Sequence, residues 1–363
     1  MDRTTILKLF LTRGTQVDQG ALEFLINNQS TLETVLKLDK NKLPPVITAE
    51  FLKSILPTSS TEIGQKISID QLSQVVNNRY EFLKKILEPK EELVNLVSIN
   101  KISEKLKLFS VIGIVLEKGD TVTLEDTTGH ATFTLDKEMS KFIVEDEVVG
   151  LVCEKQHGVN LVKNIIYPDI PLNIESKKTE SLEKCFFISD IHMDTPTFNK
   201  SYYKNLLNWL NEQKNMKIFV LGGIATTNED LSKFFSDIPH PVYFCYENDP
   251  KNPTTKRIDN IQILLSHDSF LHYYMKLWNT SLDTTIVNLL RKRNLNPILT
   301  PENYNNSFLL EEVPDIIAIN GTNKATLTNY KGTTIITTGS FSTEPIYWLI
   351  NLQTRETFKI DFA

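Results

Sequence analysis

The chain has 363 residues, of which 40 % are hydrophobic and 23 % are charged, a balance that is typical of globular proteins. This length exceeds what one compact core supports and predicts two or three domains. No run of eighteen apolar residues occurs, so we expect no transmembrane helix. The formal net charge of −6 gives no overall attraction to nucleic acid, so any contact with DNA must be local or made by a partner.

The amino-terminal sequence and the cysteines favour a reducing compartment. The first fifteen residues, MDRTTILKLFLTRGT, carry charges within a short apolar stretch and lack a small-residue cleavage site, so we expect no secretory signal. Cys153, Cys185 and Cys245 are far apart and fit neither a disulfide framework nor a zinc ribbon. We therefore expect a cytoplasmic protein without membrane contacts.

Residues 1–56 are predicted to form a small helical domain, because apolar residues such as Ile6 and Phe10 recur at helical spacing. Residues 57–95 are predicted to be a linker and a connecting helix. The linker sequence, PTSSTEIGQ, is small and polar and begins with a proline. The stretch from Ser68 to Leu87 is helical, and its simplest interpretation is a connector that packs its apolar face on a neighbour.

Residues 96–172 are predicted to form a five-stranded β-barrel. The sequence here changes to short β-branched segments that are broken by Gly or Asp. A helical piece, KEMSKFI, lies between the third and fourth of the predicted strands, which are FSVIGIVLEKG, TVTLEDTTG, HATFTLD, EVVGLVCEK and GVNLVKNIIYPD. Five strands with a helix after the third is the order of an oligonucleotide-binding (OB) type barrel.

Residues 182–363 are predicted to form an α/β domain. Helical segments such as YYKNLLNWLNEQ and LDTTIVNLLRKRN alternate with apolar strands, which are CFFIS, KIFVLGG, PVYFCY, NIQILLSH, PDIIAIN, TTIITTG and IYWLINL. This alternation predicts a β-sheet that is covered on both faces. Ligand chemistry in such a domain lies at the carboxyl ends of the strands.

A short polar motif follows the first strand of this domain. Asp190 and His192 stand two residues apart after CFFIS, which puts a carboxylate and an imidazole on the same side of the chain. Both are ligands suited to Mn, Zn or Fe. Further motifs follow the next strands, namely Gly222-Gly223, Tyr246-Glu247-Asn248-Asp249, His267 and Gly321-Thr322-Asn323-Lys324.

This series of motifs resembles that of the calcineurin-like metallophosphoesterases, which carry D-x-H, G-D, G-N-H-D, H and G-H-x-H at successive strand ends. Over most of its length the chain is more closely similar to the small subunits of archaeal family-D DNA polymerases, relatives of the B subunits of eukaryotic replicative polymerases. The similar segments are LVSINK (96–101), IIYPDIP (165–171), FFISDIH (186–192), RKRNLNP (291–297), VPDIIAINGT (313–322) and NLQTRETFKIDF (351–362). The resemblance implies a helical amino-terminal domain, an OB-type barrel and a calcineurin-like α/β sandwich.

The chain departs from the superfamily pattern at the G-D and G-N-H-D motifs. The aspartate that bridges two metal ions in the family corresponds to Gly223. The asparagine ligand corresponds to Glu247, which could serve as a substitute ligand, and the catalytic histidine corresponds to Asn248. The resemblance therefore implies that no catalytic residue is intact.

The last motif has also lost its ligands. Its two histidines correspond to Thr322 and Lys324, so Asp190, His192 and His267 are what remains of the metal centre. Each ligand of a zinc site contributes on the order of 3 kcal/mol, so loss of the bridge and of terminal ligands weakens binding by about 6 kcal/mol, or about four decades. We expect no cofactor, or at most a weakly bound Mn, Fe or Zn ion.

Lys324 also suggests how the cleft tolerates this loss. An ammonium group at a former ligand position could offset the facing carboxylates of Asp190 and Glu247. This offset is a hypothesis about the stability of the cleft.

Two other features bear on partners. Between Phe109 and Lys163 the barrel has ten Asp or Glu residues against five Lys or Arg, which favours protein contact over binding of single-stranded DNA. The basic cluster Arg291, Lys292 and Arg293 is either a solvated helix end or a contact for DNA or a partner subunit.

Two functions follow from the resemblance. In the first, the chain is a non-catalytic accessory subunit that binds the large catalytic subunit of a replicative DNA polymerase. It then reaches DNA mainly through that complex, and its amino-terminal domain tethers other replication factors near the nucleoid. In the alternative, Asp190, His192 and His267 hold one metal ion for a residual 3′–5′ exonuclease.

Overall fold

The structure is a computed structural model of the chain. It describes residues 3–12, 14–18, 20–22, 25, 35, 46–48, 52, 69–172, 175–196, 198–224, 233–234, 236–245, 252–267, 270–300, 306–320, 324–341 and 344–362. The predicted linker after Pro57 lies outside these residues. None of the described helices is long and apolar enough to cross a membrane.

The described part of the amino-terminal segment contains a helix and a short strand pair. Helix α1 spans Arg3–Leu11, and strand β1, Gln16–Val17, runs parallel to β2, Val46–Ile47. Ile6 and Phe10 are fully buried, in one hydrophobic cluster with side chains of the α/β domain. The sequence predicts only helices here, so the strand pair is an addition, and the separate helical domain stays a prediction.

Helix α2, Ile69–Leu87, packs on the outside of the barrel. Tyr80, Leu83 and Leu87 are buried and fall on one face at helical spacing. Lys84 and Lys85 lie in its last turn, where positive charge complements the helix dipole. The connector predicted from the sequence is therefore tied to the barrel.

A closed five-stranded barrel follows, with the strand order β3-β4-β5-β7-β6. Its strands are β3 (Leu108–Lys118), β4 (Thr121–Asp126), β5 (Gly129–Thr134), β6 (Val148–Gln156) and β7 (Val159–Ile166). Helix α3, Lys137–Ser140, lies between β5 and β6, and the Asp136 side chain caps it by accepting from the Met139 N–H. The five strands and the position of the helix agree with the sequence pattern.

The α/β domain contains two five-stranded sheets. The first has the order β10-β9-β8-β16-β17 and the second the order β11-β12-β13-β15-β14. The first sheet consists of β8 (Lys184–Ser189), β9 (Met216–Leu221), β10 (Val242–Cys245), β16 (Ile346–Asn351) and β17 (Thr357–Asp361). The second consists of β11 (Thr254–Ile258), β12 (Ile261–Ser266), β13 (Ile316–Ile319), β14 (Thr326–Tyr330) and β15 (Thr333–Thr337).

Helices cover the outer faces of these sheets. They are α4 (Lys200–Glu212), α5 (Leu271–Trp278) and α6 (Leu282–Arg291). Phe187, Phe219 and Ile263 point between the sheets, whereas their chain neighbours Phe186 and Leu264 point outward into the clusters that contain the helices. Both faces of these strands are therefore buried, which is why the sequence shows continuous apolar runs instead of alternation.

The barrel and the α/β domain are joined by a buried ion pair. Lys292 Nζ lies 2.5 Å from Glu147 Oε2 and donates to the Phe142 carbonyl at 2.7 Å, and both charged side chains are 1 % exposed. The ammonium also lies 4.4 Å from the ring centre of Tyr167 and 5.6 Å from that of Trp278. Burial raises the pKa of Glu147 and lowers that of Lys292, and the attraction within the pair opposes both shifts.

Arg79 of helix α2 forms a second link in the same joint. Its guanidinium donates to the carbonyls of Pro297, at 2.5 Å, and Asp146, at 3.2 Å, and to Asn306 Oδ1 at 3.0 Å. The Leu299 N–H donates to Asp146 Oδ2 at 2.9 Å. Burial lowers the pKa of Arg79 to about 10, although Asp146 partly offsets the effect. Connecting helix, barrel and α/β domain thus meet at one polar joint.

These contacts correct the interpretation of the basic cluster. Lys292 and Arg293 are buried, with 2 % and 5 % exposure. Arg293 donates to two backbone carbonyls at 2.9 Å each. The predicted contact with DNA or a partner is wrong for these two residues, because their charges are used inside the protein. A contact through Arg291, which is half-buried, stays a prediction.

We expect Lys292→Met to destabilise the protein strongly, because it leaves the Glu147 carboxylate buried without its partner. The apparent free energy of unfolding in urea should fall by about 3–5 kcal/mol. The double variant K292M/E147L should recover most of this loss, since no unpaired charge remains.

Lys84→Met is the matched control for this substitution. Lys84 pairs with Glu88 at 3.7 Å at the protein surface, where the two side chains are 30 % and 48 % exposed, so the loss should stay below about 1 kcal/mol. Equal losses in K292M and in the double variant would contradict the interpretation of the joint.

Candidate functional site

Asp190 and His192 lie in a tight turn directly after strand β8. Their φ angles are +48° and +45°, in the left-handed region that non-glycine residues rarely adopt. Backbone hydrogen bonds tie this turn to the end of β9, from the Asp190 N–H to the Leu221 carbonyl at 3.1 Å and from the Ile191 N–H to the Gly223 carbonyl at 2.9 Å. Such strain persists only where the surroundings fix the backbone, and it concentrates at functional sites.

The His192 ring lies against Gly223, the residue that the sequence resemblance aligns with the family's bridging aspartate. A Cβ atom on Gly223 would lie 2.4 Å from His192 Cε1 and 2.8 Å from Nδ1. Real side chains do not approach this closely, so even an alanine at position 223 requires the ring to move. The His192 imidazole therefore occupies space that a side chain at position 223 would need.

Asn320, the residue after strand β13, contacts the Asp190 carboxylate from the second sheet. Its Nδ2 lies 3.3 Å from Oδ1 and 3.2 Å from Oδ2 of Asp190. Asn320 is fully buried, and its Oδ1 has no hydrogen-bond partner among the described residues. Asn320 was not predicted from the sequence. The one available signal was its place at a strand end, immediately before Gly321.

The Asp190 carboxylate is largely removed from water, since its side chain is 18 % exposed. Burial raises the pKa of this carboxyl, while His192, His267, the Asn320 amide and the Gly223 N–H act in the opposite direction. His192 Nε2 lies 3.7 Å from Asp190 Oδ1, and its side chain is 47 % exposed. The site thus combines a desolvated carboxylate with an imidazole that water can reach.

His267 follows strand β12 and is positioned by a second unpredicted residue, Asn252. Asn252 Oδ1 accepts from the His267 N–H at 3.0 Å and from Ser266 Oγ at 3.3 Å. The ends of β8, β9, β12 and β13 are brought together by hydrogen bonds from Asp190 to Leu221, from Asn320 to Ser266 and from Asn320 to Asp190. Asp190, Gly223 and Asn320 therefore lie together at the carboxyl ends of their strands, and the inclusion of His267 in a shared site stays a prediction.

Tyr347 also approaches this cleft, from strand β16. It is fully buried, and its hydroxyl has no hydrogen-bond partner in the described part of the chain. Burial and the charge of Asp190 raise the pKa of Tyr347 well above its ordinary value. An aromatic residue in an apolar strand gives no sequence signal for this placement.

The described residues do not fit the two-metal centre of the superfamily. Within that set, no three His, Cys, Asp or Glu side chains lie close enough together to hold a metal ion. These side chains therefore do not support a metal-dependent step.

Several predicted positions lie outside the described residues, namely Glu247, Asn248 and Thr322. Lys324 is described and exposed. Its predicted role in offsetting the cleft carboxylates stays a prediction.

The chain was compared with solved structures. About half of it aligns with a single mutant of Vps29 from Entamoeba histolytica, at 14 % identity, covering 50 % of this chain and 99 % of that one with a TM-score of 0.31. A similar share aligns with an archaeal phosphodiesterase at 13 % identity, covering 49 % and 99 % with a TM-score of 0.29. No protein-family model matches the chain.

Sequence relatives cover far more of the chain. It is 20 % identical, over an alignment of 431 positions including gaps, to the DNA polymerase II small subunit of Thermoplasma acidophilum, covering 96 % of this chain and 88 % of the relative. It is 24 % identical over 367 residues to the protein of the same name from Methanothermobacter thermautotrophicus, covering 79 % and 74 %. The chain is therefore a homologue of the archaeal DNA polymerase II small subunits.

Proposed function

We propose that the chain is a non-catalytic accessory subunit of a replicative DNA polymerase, which binds and stabilises the large catalytic subunit. The observation that carries this proposal is the similarity to DNA polymerase II small subunits along nearly the whole chain. The emptied ligand positions support it, because the groups lost are those that would perform phosphodiester chemistry. In this function the outer surface of the two domains matters more than the cleft.

We assign the barrel to the OB type and its surface to protein contact. The supporting observation is the strand order, with α3 between the third and fourth strands. Single-stranded DNA binding needs exposed aromatic rings within a basic groove. Phe109 and Phe133 are fully buried, and Phe142 packs edge-on against Trp278 with ring centres 5.7 Å apart. The barrel aromatics are thus committed to packing.

The α/β domain is assigned to the phosphoesterase-like class, with its metal centre lost. Its two packed sheets carry the motif positions at their strand ends, as in the superfamily whose motifs it resembles. The subunit works in the cytoplasm at the nucleoid, and it reaches DNA mainly through the complex. The amino-terminal segment is the proposed tether for other replication factors.

Co-expression with the large catalytic subunit from the same genome tests the main proposal. We expect the two chains to purify together and to elute as one complex in size-exclusion chromatography. Co-expression with an unrelated polymerase catalytic chain is the control and should give no complex. A chain that stays monomeric beside its own large subunit would contradict the accessory function.

The second function to test is a residual exonuclease, in which Asp190, His192 and His267 would hold one metal ion. We expect the purified chain to contain far less than one Mn, Fe or Zn ion and to leave mismatched primers intact when Mn²⁺ is added. The measurements are elemental analysis and primer degradation. Stoichiometric metal, together with cleavage that His192→Ala abolishes, would establish the nuclease and refute a non-catalytic chain.

Gly223→Ala tests whether the imidazole has taken the place of the bridging group. The added methyl group meets the His192 ring at 2.4 Å, so the free energy of unfolding should fall by about 1–3 kcal/mol. The double variant G223A/H192A should recover much of this loss, because the obstructing ring is gone.

Gly119→Ala is the matched control, since nothing lies within 4 Å of a Cβ atom at that position. It should change stability by about 0.5 kcal/mol or less. A G223A protein as stable as G119A would show that the ring does not occupy this space.

A further inference from the structure

We propose that a hydrogen-bonded Asp190–Asn320 pair, and not a metal ion, links the two sheets at the carboxyl ends of their strands in this chain. Asp190 directly follows a strand of the first sheet, and Asn320 directly follows a strand of the second. This inference concerns how the cleft is held together, and it does not depend on the partner of the proposed function.

The pair is built into the backbone on both sides. The Asp190 N–H donates to the Leu221 carbonyl at 3.1 Å, and the Asn320 N–H donates to the Ser266 carbonyl at 3.3 Å. Each partner is thereby fixed to the neighbouring strand of its own sheet. The side-chain contact between them connects four strand ends, those of β8, β9, β12 and β13.

Gly222 provides the space for this contact. A Cβ atom there would lie 2.1 Å from Asp190 Oδ1 and 2.4 Å from Asn320 Nδ2. Its φ of +83° is also in the region that favours glycine. The backbone just after β9 therefore lies so close to the pair that no side-chain atom fits at position 222.

The Asp190–Asn320 pair connects the two sheets through hydrogen bonds, without a metal ion. A buried carboxylate must be paired or hydrogen-bonded to remain charged. The amide of Asn320 and the N–H of Gly223 supply donors to the Asp190 carboxyl. Among the described residues, no group of three His, Cys, Asp or Glu side chains lies close enough together to hold an ion in its place. The sheet ends are thus connected by neutral donors.

Thermal unfolding of the full chain, measured with Mn²⁺ and with EDTA, tests the proposal. We expect the wild-type Tm to be the same under both conditions. Asn320→Ala should lower the Tm by about 4–8 °C in both, because the Asp190 carboxylate loses its main side-chain donor. The exposed helical position Asn211 gives the matched control, and N211A should leave the Tm within about 1–2 °C of wild type.

Asn320→Asp keeps the side-chain size and remains informative where N320A does not fold. It places a second carboxylate beside Asp190, so the Tm should fall in EDTA and recover in a saturable way as Mn²⁺ is added, while N211D shows neither effect. A wild-type Tm that rises with Mn²⁺ would overturn the proposal, because an ion would then bind the native cleft. An N320D protein whose Tm and response to Mn²⁺ match those of the wild type would also overturn the proposal.

Discussion

A carboxylate that leaves water must find donors or a cation, and this constraint governs the cleft of the α/β domain. Asp190 follows a strand whose two faces are both buried, so its side chain can only point into the space where the sheets end. Asn320 and the N–H of Gly223 satisfy it there. Side chains that contact Asp190 are consequently arranged around a fixed negative charge, and His192, which lies on Gly223, is the part of this arrangement that water reaches.

The same constraint is compatible with our proposal that the fold persists without a metal centre. The sheets are held by an apolar layer between them, to which Phe187, Phe219 and Ile263 contribute, and this layer does not involve the cleft. In a domain without metal ions, only the carboxylate at the strand ends needs another group to stabilise its charge. An amide that donates to both carboxylate oxygens costs less than a second unpaired charge would. The proposed loss of catalysis and the retention of the architecture are therefore energetically compatible.

The sequence predicted the buried strands and the convergence of Asp190 and Gly223, because apolar runs and polar strand ends are local features. It missed strands β11, β14 and β17, which lie at sheet edges and carry polar residues on an open face. It also missed Asn320, whose role depends on contact between two sheets that are distant in the chain. The assignment of Lys292 to a surface was wrong because its partner, Glu147, belongs to another domain.

The joint between the barrel and the α/β domain gives the proposed accessory function a physical basis. A subunit that organises a larger chain must present its two domains in a fixed relation, since a mobile pair would lose conformational entropy on binding. Here Lys292, Glu147 and Arg79 are all buried in the contact, and each makes directional hydrogen bonds across it. Buried polar contacts of this kind tolerate few alternative geometries, because any displacement leaves a charge unpaired. The relative placement of the two domains is therefore set before a partner arrives.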